Sequence, residues 1–154
     1  MPIPSRILVP VDFSEGSLGL INYALQLARP FNAELELLHV WEPPQYVAPD
    51  LLVAAPGWNA QSLEQVAIEA ATKELNELAA KVKEAPRPLK HRVAVGEAAS
   101  TVLRIAEEGK YDLIIMGTHG RRGLPRLLLG SVAQKIVARA HCPVLTVHLY
   151  EATK

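Results

Sequence analysis

Two short runs, Ile7-Leu8-Val9-Pro10-Val11 and Leu113-Ile114-Ile115-Met116, are apolar at every position. A half-buried strand alternates apolar and polar residues, and an amphipathic helix repeats its apolar residues every three or four. Runs with neither period read as strands covered on both faces. Strands of that kind need helices above and below them, which restricts the chain to a layered α/β architecture.

The sequence between these runs supplies the helices and the remaining strands. Ser14 is positioned to cap a first helix running to about Arg29, with Leu18, Ile21, Leu25 and Ala28 inward and Pro30 as its stop. Leu35 to Val40 reads as the second strand. The pattern breaks from Trp41 to Ala60, where Pro43, Pro44, Pro49, Pro56 and Gly57 mark a connection longer than most, of a length associated with function or mobility. Ser62 with Gln65 then forms a capping box for a helix to about Glu84, with the stripe Ile68, Ala71, Leu75, Leu78 and Val82, closed by Pro86 and Pro88. Leu89 to Val95 is a third strand, and its Lys90, His91 and Arg92 mark it as an edge. Gly96 turns the chain into a short helix facing Val102, Ile105 and Ala106 inward. Asp112 to Met116 is the fourth strand. Val132, Ala133, Ile136, Val137 and Ala140 mark the last helix, and Pro143 to Leu149 the last strand.

Strands and helices alternate throughout, which predicts a three-layer sandwich: a five-stranded parallel sheet with helices on both faces. The two most apolar strands belong together at its centre, giving the order 3-2-1-4-5. Its switch point falls between strands 1 and 4, where open sheets of this type bind ligands at the strands' carboxyl ends. Asp12 and Gly117 both face that crevice. The 154 residues suit one domain over 1–154.

Sixteen basic residues offset sixteen acidic ones, so no general nucleic-acid binder is expected. The lone Cys142 permits no internal disulfide and reads as a small buried hydrophobe rather than a redox thiol. Neither a signal peptide nor an uncharged apolar stretch of about 18 residues is present, and the expected location is cytoplasmic. The five histidines (His39, His91, His119, His141, His148) lack the i, i+4 spacing of a zinc helix, so no structural metal site is expected. His39 reads as strand packing. Trp41, Tyr46 and Trp58 read as packing for the long connection or as a lid. Glu74, Glu77, Lys81 and Lys83 read as a solvated helix face.

The stretch from Gly117 to Ser131 is the most informative in the chain. Gly117, Gly120, Gly123 and Gly130 let backbone approach a ligand closely, and Gly130-Ser131 opens a helix. A helix start offers unpaired N–H groups and partial positive charge to phosphate oxygens, and the Ser131 hydroxyl adds a donor. Arg121, Arg122 and Arg126 bring three positive charges to the intervening loop, which Pro125 stiffens. The spacing matches neither a Walker-A loop nor a dinucleotide fingerprint.

The spacing Gly117-x2-Gly120-x9-Gly130-Ser131 resembles the G-x2-G-x9-G-[ST] signature of the universal stress proteins. Three other segments agree in order: Ile7-Leu8-Val9-Pro10-Val11-Asp12-Phe13-Ser14 at the opening, His39-Val40, and Cys142-Pro143-Val144-Leu145. The resemblance implies a Rossmann-like fold of the adenine nucleotide alpha hydrolase type. Because every motif position is kept, it implies the ATP-binding branch of the family. Adenine would then lie near Asp12, with Pro10 and Val11 beside it, and near Val40. Met116 and Gly117 would follow the ribose. Gly120, Gly130, Ser131 and Val132 would hold phosphates with a Mg2+ ion, and His119 and Arg121 would join through their places in the motif. The resemblance also implies a homodimer through Val144-Leu145-Thr146-Val147, and a part in stress response.

Three functions fit these residues. One is a nucleotide-regulated dimeric module, the second a slow ATPase or autophosphorylating enzyme at the same site, with Ser131 and His119 as its local candidates. The third is a nucleotide-free interaction protein. AMP or a cyclic nucleotide would use much the same cradle as ATP.

Overall fold

The computed structural model describes residues 2–45, 60–85, 89–118 and 129–148. Within them five strands, β1 (Arg6–Pro10), β2 (Glu34–Trp41), β3 (Lys90–Val95), β4 (Leu113–Gly117) and β5 (Val144–Val147), form one parallel sheet in the order β3-β2-β1-β4-β5. Four helices connect them: α1 (Ser17–Ala28), α2 (Ala60–Ala80), α3 (Ala98–Glu108) and α4 (Ser131–Arg139).

The apolar runs work as expected because successive residues point to opposite faces. Ile7 and Val9 of β1 join Leu35, Leu37 and Ile115 beneath α1 and α2, with Leu20, Ile21, Ala24 and Leu75 from those helices. Leu8 points the other way and joins Leu38, Ile114 and Met116 beneath α3 and α4, with Val102, Ile105, Ala133 and Ile136. Leu8, Val9, Leu37, Leu38, Ile114 and Ile115 are wholly buried, so the two central strands and β2 form the middle of a three-layer sandwich.

β3 lies at one edge, as its charges indicate, but those charges are not simply solvated. Lys90 pairs with Glu34 at 3.3 Å and Arg92 with Glu36 at 2.7 Å, both across the β2–β3 ladder. Glu36 also accepts the Tyr111 hydroxyl, and burial together with that bond pushes the Tyr111 phenol up to about 12. A charged residue can therefore sit on a nearly covered strand because its partners satisfy it.

Several boundaries differ from the sequence expectations. Ser14 provides no side-chain cap; α1 starts later, after Gly16. Asp12 organises the turn instead, accepting the Ser14 amide at 3.0 Å and the Ser17 hydroxyl at 3.4 Å. At its other end α1 passes into a single 3-10 turn, Arg29–Phe31, that contains Pro30. The Ser62–Gln65 capping box is also corrected. α2 begins at Ala60, ahead of Ser62, and Gln65 donates to Glu69 one turn further along. α2 ends at Ala80 rather than near Glu84. No helix among the described residues is long and apolar enough to cross a membrane.

Candidate functional site

β1 and β4 are neighbours, but the chain leaves them on opposite sides of the sheet, toward α1 in one case and α4 in the other. In open sheets of this type ligands bind between two such departures, at the carboxyl ends of the strands.

On the β1 side, Pro10 ends the strand opposite Leu38. The Val11 amide donates to the Leu38 carbonyl at 2.9 Å, and the Val11 carbonyl accepts the Nδ1–H of His39 at 2.8 Å. Phe13 takes a left-handed backbone conformation (φ 60°) and stacks its ring on His39, centroid to centroid 4.1 Å. That conformation costs a non-glycine residue about 1–2 kcal/mol. The stack, the Val11 bond and the Asp12 turn hold it in place. His39 is strand packing, as the sequence implies, and it also braces the loop that carries Asp12. Val40, half-buried near the end of β2, packs against the α3/α4 side of the core.

On the β4 side, Met116 is buried and Gly117 ends the strand, opposite Thr146 and Val147 respectively. Thr118 is 2% exposed. Its amide donates to the Val147 carbonyl at 3.2 Å, its carbonyl accepts the Gly130 amide at 2.9 Å, and its hydroxyl shares a 3.1 Å hydrogen bond with His148 Nδ1. Gly130 caps α4, and a Cβ added there would lie 3.2 Å from the Thr118 carbonyl oxygen. Gln134 steadies this helix start from within: its amide donates to the Gly130 carbonyl and its side chain to the Leu129 carbonyl, both at 2.9 Å. Ser131 is exposed at the first position of α4, and Val132 packs half-buried beside it. The first turn carries no acidic residue, so its N–H groups keep the partial positive charge of a helix start.

Pro10, Val11, Asp12, Val40, Met116, Gly117, Gly130, Ser131 and Val132 thus sit at one end of the sheet. His119, Gly120 and Arg121 lie outside the described residues, as do Gly123, Arg122, Pro125 and Arg126, and likewise Tyr46 and Trp58.

At the end of β3, Gly96 has φ +149°, and a Cβ there would fall 2.5 Å from the Thr101 hydroxyl. Glu97 caps α3 by accepting the Ser100 amide at 2.7 Å. Hydrogen bonds from Ser100 hold its carboxyl down at about 2. Lys135, in the middle of α4, reaches the same carboxylate at 3.3 Å, tying the start of α3 to that helix. Glutamate is not among the preferred capping residues, so Glu97 gave no capping signal in the sequence. The Lys135 contact left none either, because those elements are far apart in the chain.

Three further positions went unread in the sequence. Thr118 occupies a variable place within the glycine motif, the sequence pattern puts His148 inside a last strand that in fact ends at Val147, and Phe13 enters only as part of the opening segment. Among the described residues no group of three His, Cys, Asp or Glu side chains could hold a metal ion. Burial pushes the Cys142 thiol up, away from the reactive thiolate form.

The model of the universal stress protein family matches residues 4–148. Universal stress protein MJ0531 of Methanocaldococcus jannaschii is 33% identical over 142 residues, spanning 92% of this chain and 81% of that protein. Among solved structures, universal stress protein UspA from Lactobacillus plantarum matches with a TM-score of 0.79 at 25% identity, over 96% of this chain and 100% of its own. A universal stress protein in complex with cAMP shares the fold, with a TM-score of 0.60 at 22% identity over 97% of this chain and 100% of that one. So does one from Archaeoglobus fulgidus in complex with dAMP, with a TM-score of 0.63 at 18% identity over 94% and 98%.

Proposed function

The chain belongs to the universal stress protein family, and we propose that it binds an adenine nucleotide, ATP with Mg2+, across the carboxyl ends of β1, β2 and β4. The observation that carries this reading is the 2.9 Å bond from the Gly130 amide to the Thr118 carbonyl. It draws the start of α4 against the end of β4, where a side chain on Gly130 would crowd the backbone. A helix start fixed in this way presents the remaining N–H groups of its first turn to phosphate oxygens.

In this reading Pro10, Val11, Asp12 and Val40 hold the adenine, and Met116 and Gly117 follow the ribose. Gly130, Ser131 and Val132 take the phosphates together with His119, Gly120 and Arg121. The Mg2+ ion belongs to the nucleotide's own phosphates. The cAMP and dAMP complexes of two fold relatives support the adenine class. Three arginines in the motif loop bring positive charge that suits a phosphate group. The protein acts as a cytoplasmic, nucleotide-regulated module in stress response, paired as a homodimer along β5, and not as an efficient enzyme.

Isothermal titration with Mg-ATP, followed by product analysis over hours, tests the reading. The expected result is saturable heat with nucleotide recovered largely intact. Steady ADP release would replace it with a slow ATPase. No heat and no thermal shift at millimolar ATP would leave a nucleotide-free interaction protein.

A further inference from the structure

We propose that Thr118 is a positioning residue for the phosphate end of the site, and that His148 acts through it. The inference rests on the nucleotide-binding reading above, but its geometry is independent of any ligand. Thr118 joins two elements by one peptide. Its amide extends the β4–β5 ladder one step past Gly117, to Val147, and its carbonyl receives the Gly130 amide. The position of the β5 end therefore sets where α4 begins.

The hydroxyl decides how firmly that peptide is held. Threonine is β-branched and stiff at χ1, so one hydrogen bond is enough to select its side-chain orientation. His148 Nδ1 makes that bond at 3.1 Å from the residue that follows β5. The side chain is buried, leaving the hydroxyl few alternative arrangements. Clearance at Gly130 is small, since a single added carbon would lie 3.2 Å from the Thr118 oxygen. A drift of a few tenths of an ångström in this peptide would therefore move the donors of the first turn of α4 relative to a bound phosphate.

Thr118→Val keeps the shape and removes the hydroxyl. Its Mg-ATP affinity is expected to fall about fivefold, the factor carried by one ordinary hydrogen bond of about 1 kcal/mol. Thr118→Ser restores affinity to within about twofold of the unaltered protein, and His148→Ala reproduces the loss. In the double variant Thr118→Val/His148→Ala the two losses are less than additive, because both remove the bond between these side chains. Unchanged affinity, or losses that add in the double variant, would overturn the proposal. A purely structural role would lower thermal stability and leave affinity alone. In ligand-free protein, hydrogen exchange at the Gly130 amide is expected to quicken in both single variants, and unchanged exchange also overturns the proposal. If the unaltered protein binds no adenine nucleotide, the functional reading fails, and the exchange measurement still decides this one.

Discussion

The Thr118 carbonyl oxygen accepts the Gly130 amide at 2.9 Å, and a methyl group on Gly130 would stand 3.2 Å from the same oxygen. Gly130 has φ −58°, a value open to any residue. Glycine is therefore needed here for space and not for backbone freedom. This distinction governs what a substitution does.

Gly130→Ala should fold, because its backbone is unstrained, but the start of α4 must shift away from β4. Overall stability is expected to change by no more than about 1 kcal/mol, in line with glycine-to-alanine changes elsewhere. Mg-ATP affinity should fall about tenfold or more, a loss of about 1.4 kcal/mol. Titration calorimetry beside thermal melts checks both parts. Unaltered affinity would remove Gly130 from the phosphate end.

Phe13 offers a reversal of the usual ranking of alanine and glycine. Both Phe13→Ala and Phe13→Gly lose the stack on His39, a contact worth about 0.5–1.5 kcal/mol. Only glycine also relieves the left-handed φ of 60°. Phe13→Gly should therefore be the more stable of the two by about 1 kcal/mol in urea unfolding. The opposite order would mean that the loop adopts another backbone.

Glu97 makes part of the stability depend on pH. Ser100 holds its carboxyl at about 2, against an ordinary 4.5. A depressed carboxylate stabilises the fold fully above its unfolded value, and the contribution fades as pH falls from 4.5 toward 2. Glu97→Ala should melt below the unaltered protein at neutral pH, and the gap should close through that window. A gap that stays constant down to the acid end would rule out the cap as its source.

The β5 edge tests the proposed dimer. Val144, Leu145, Thr146 and Val147 are all half-buried, and no further strand lies beyond them among the described residues. A lysine on such an edge opposes pairing with a second copy. Thr146→Lys should move the protein from dimer to monomer by light scattering. A variant that remains dimeric would put the interface on another face.

How much of this was legible depended on how local each signal is. The order of the sheet followed from Ile7–Val11 and Leu113–Met116, because a strand without polar residues must be covered on both sides. The edge position of β3 followed from Lys90, His91 and Arg92. Helix starts were read less well. Ser14 and Ser62 are both chemically fit to cap, yet Asp12 captures the first turn and α2 simply begins earlier. A local motif shows which residues are able to cap, and competition from neighbouring side chains decides which one does.

Hydrophobic period and glycine spacing by themselves determined the alternation of strands and helices, the central pair β1 and β4, and the chain's family resemblance. These signals survive without tertiary contacts because burial and backbone freedom act residue by residue. Only the folded chain decided that Thr118 would meet Gly130, Val147 and His148, that Phe13 would lie on His39, and that Lys135 would reach Glu97. Each of these contacts joins residues from different elements. Their geometry depends on how the layers stack, and no spacing within a single segment records it.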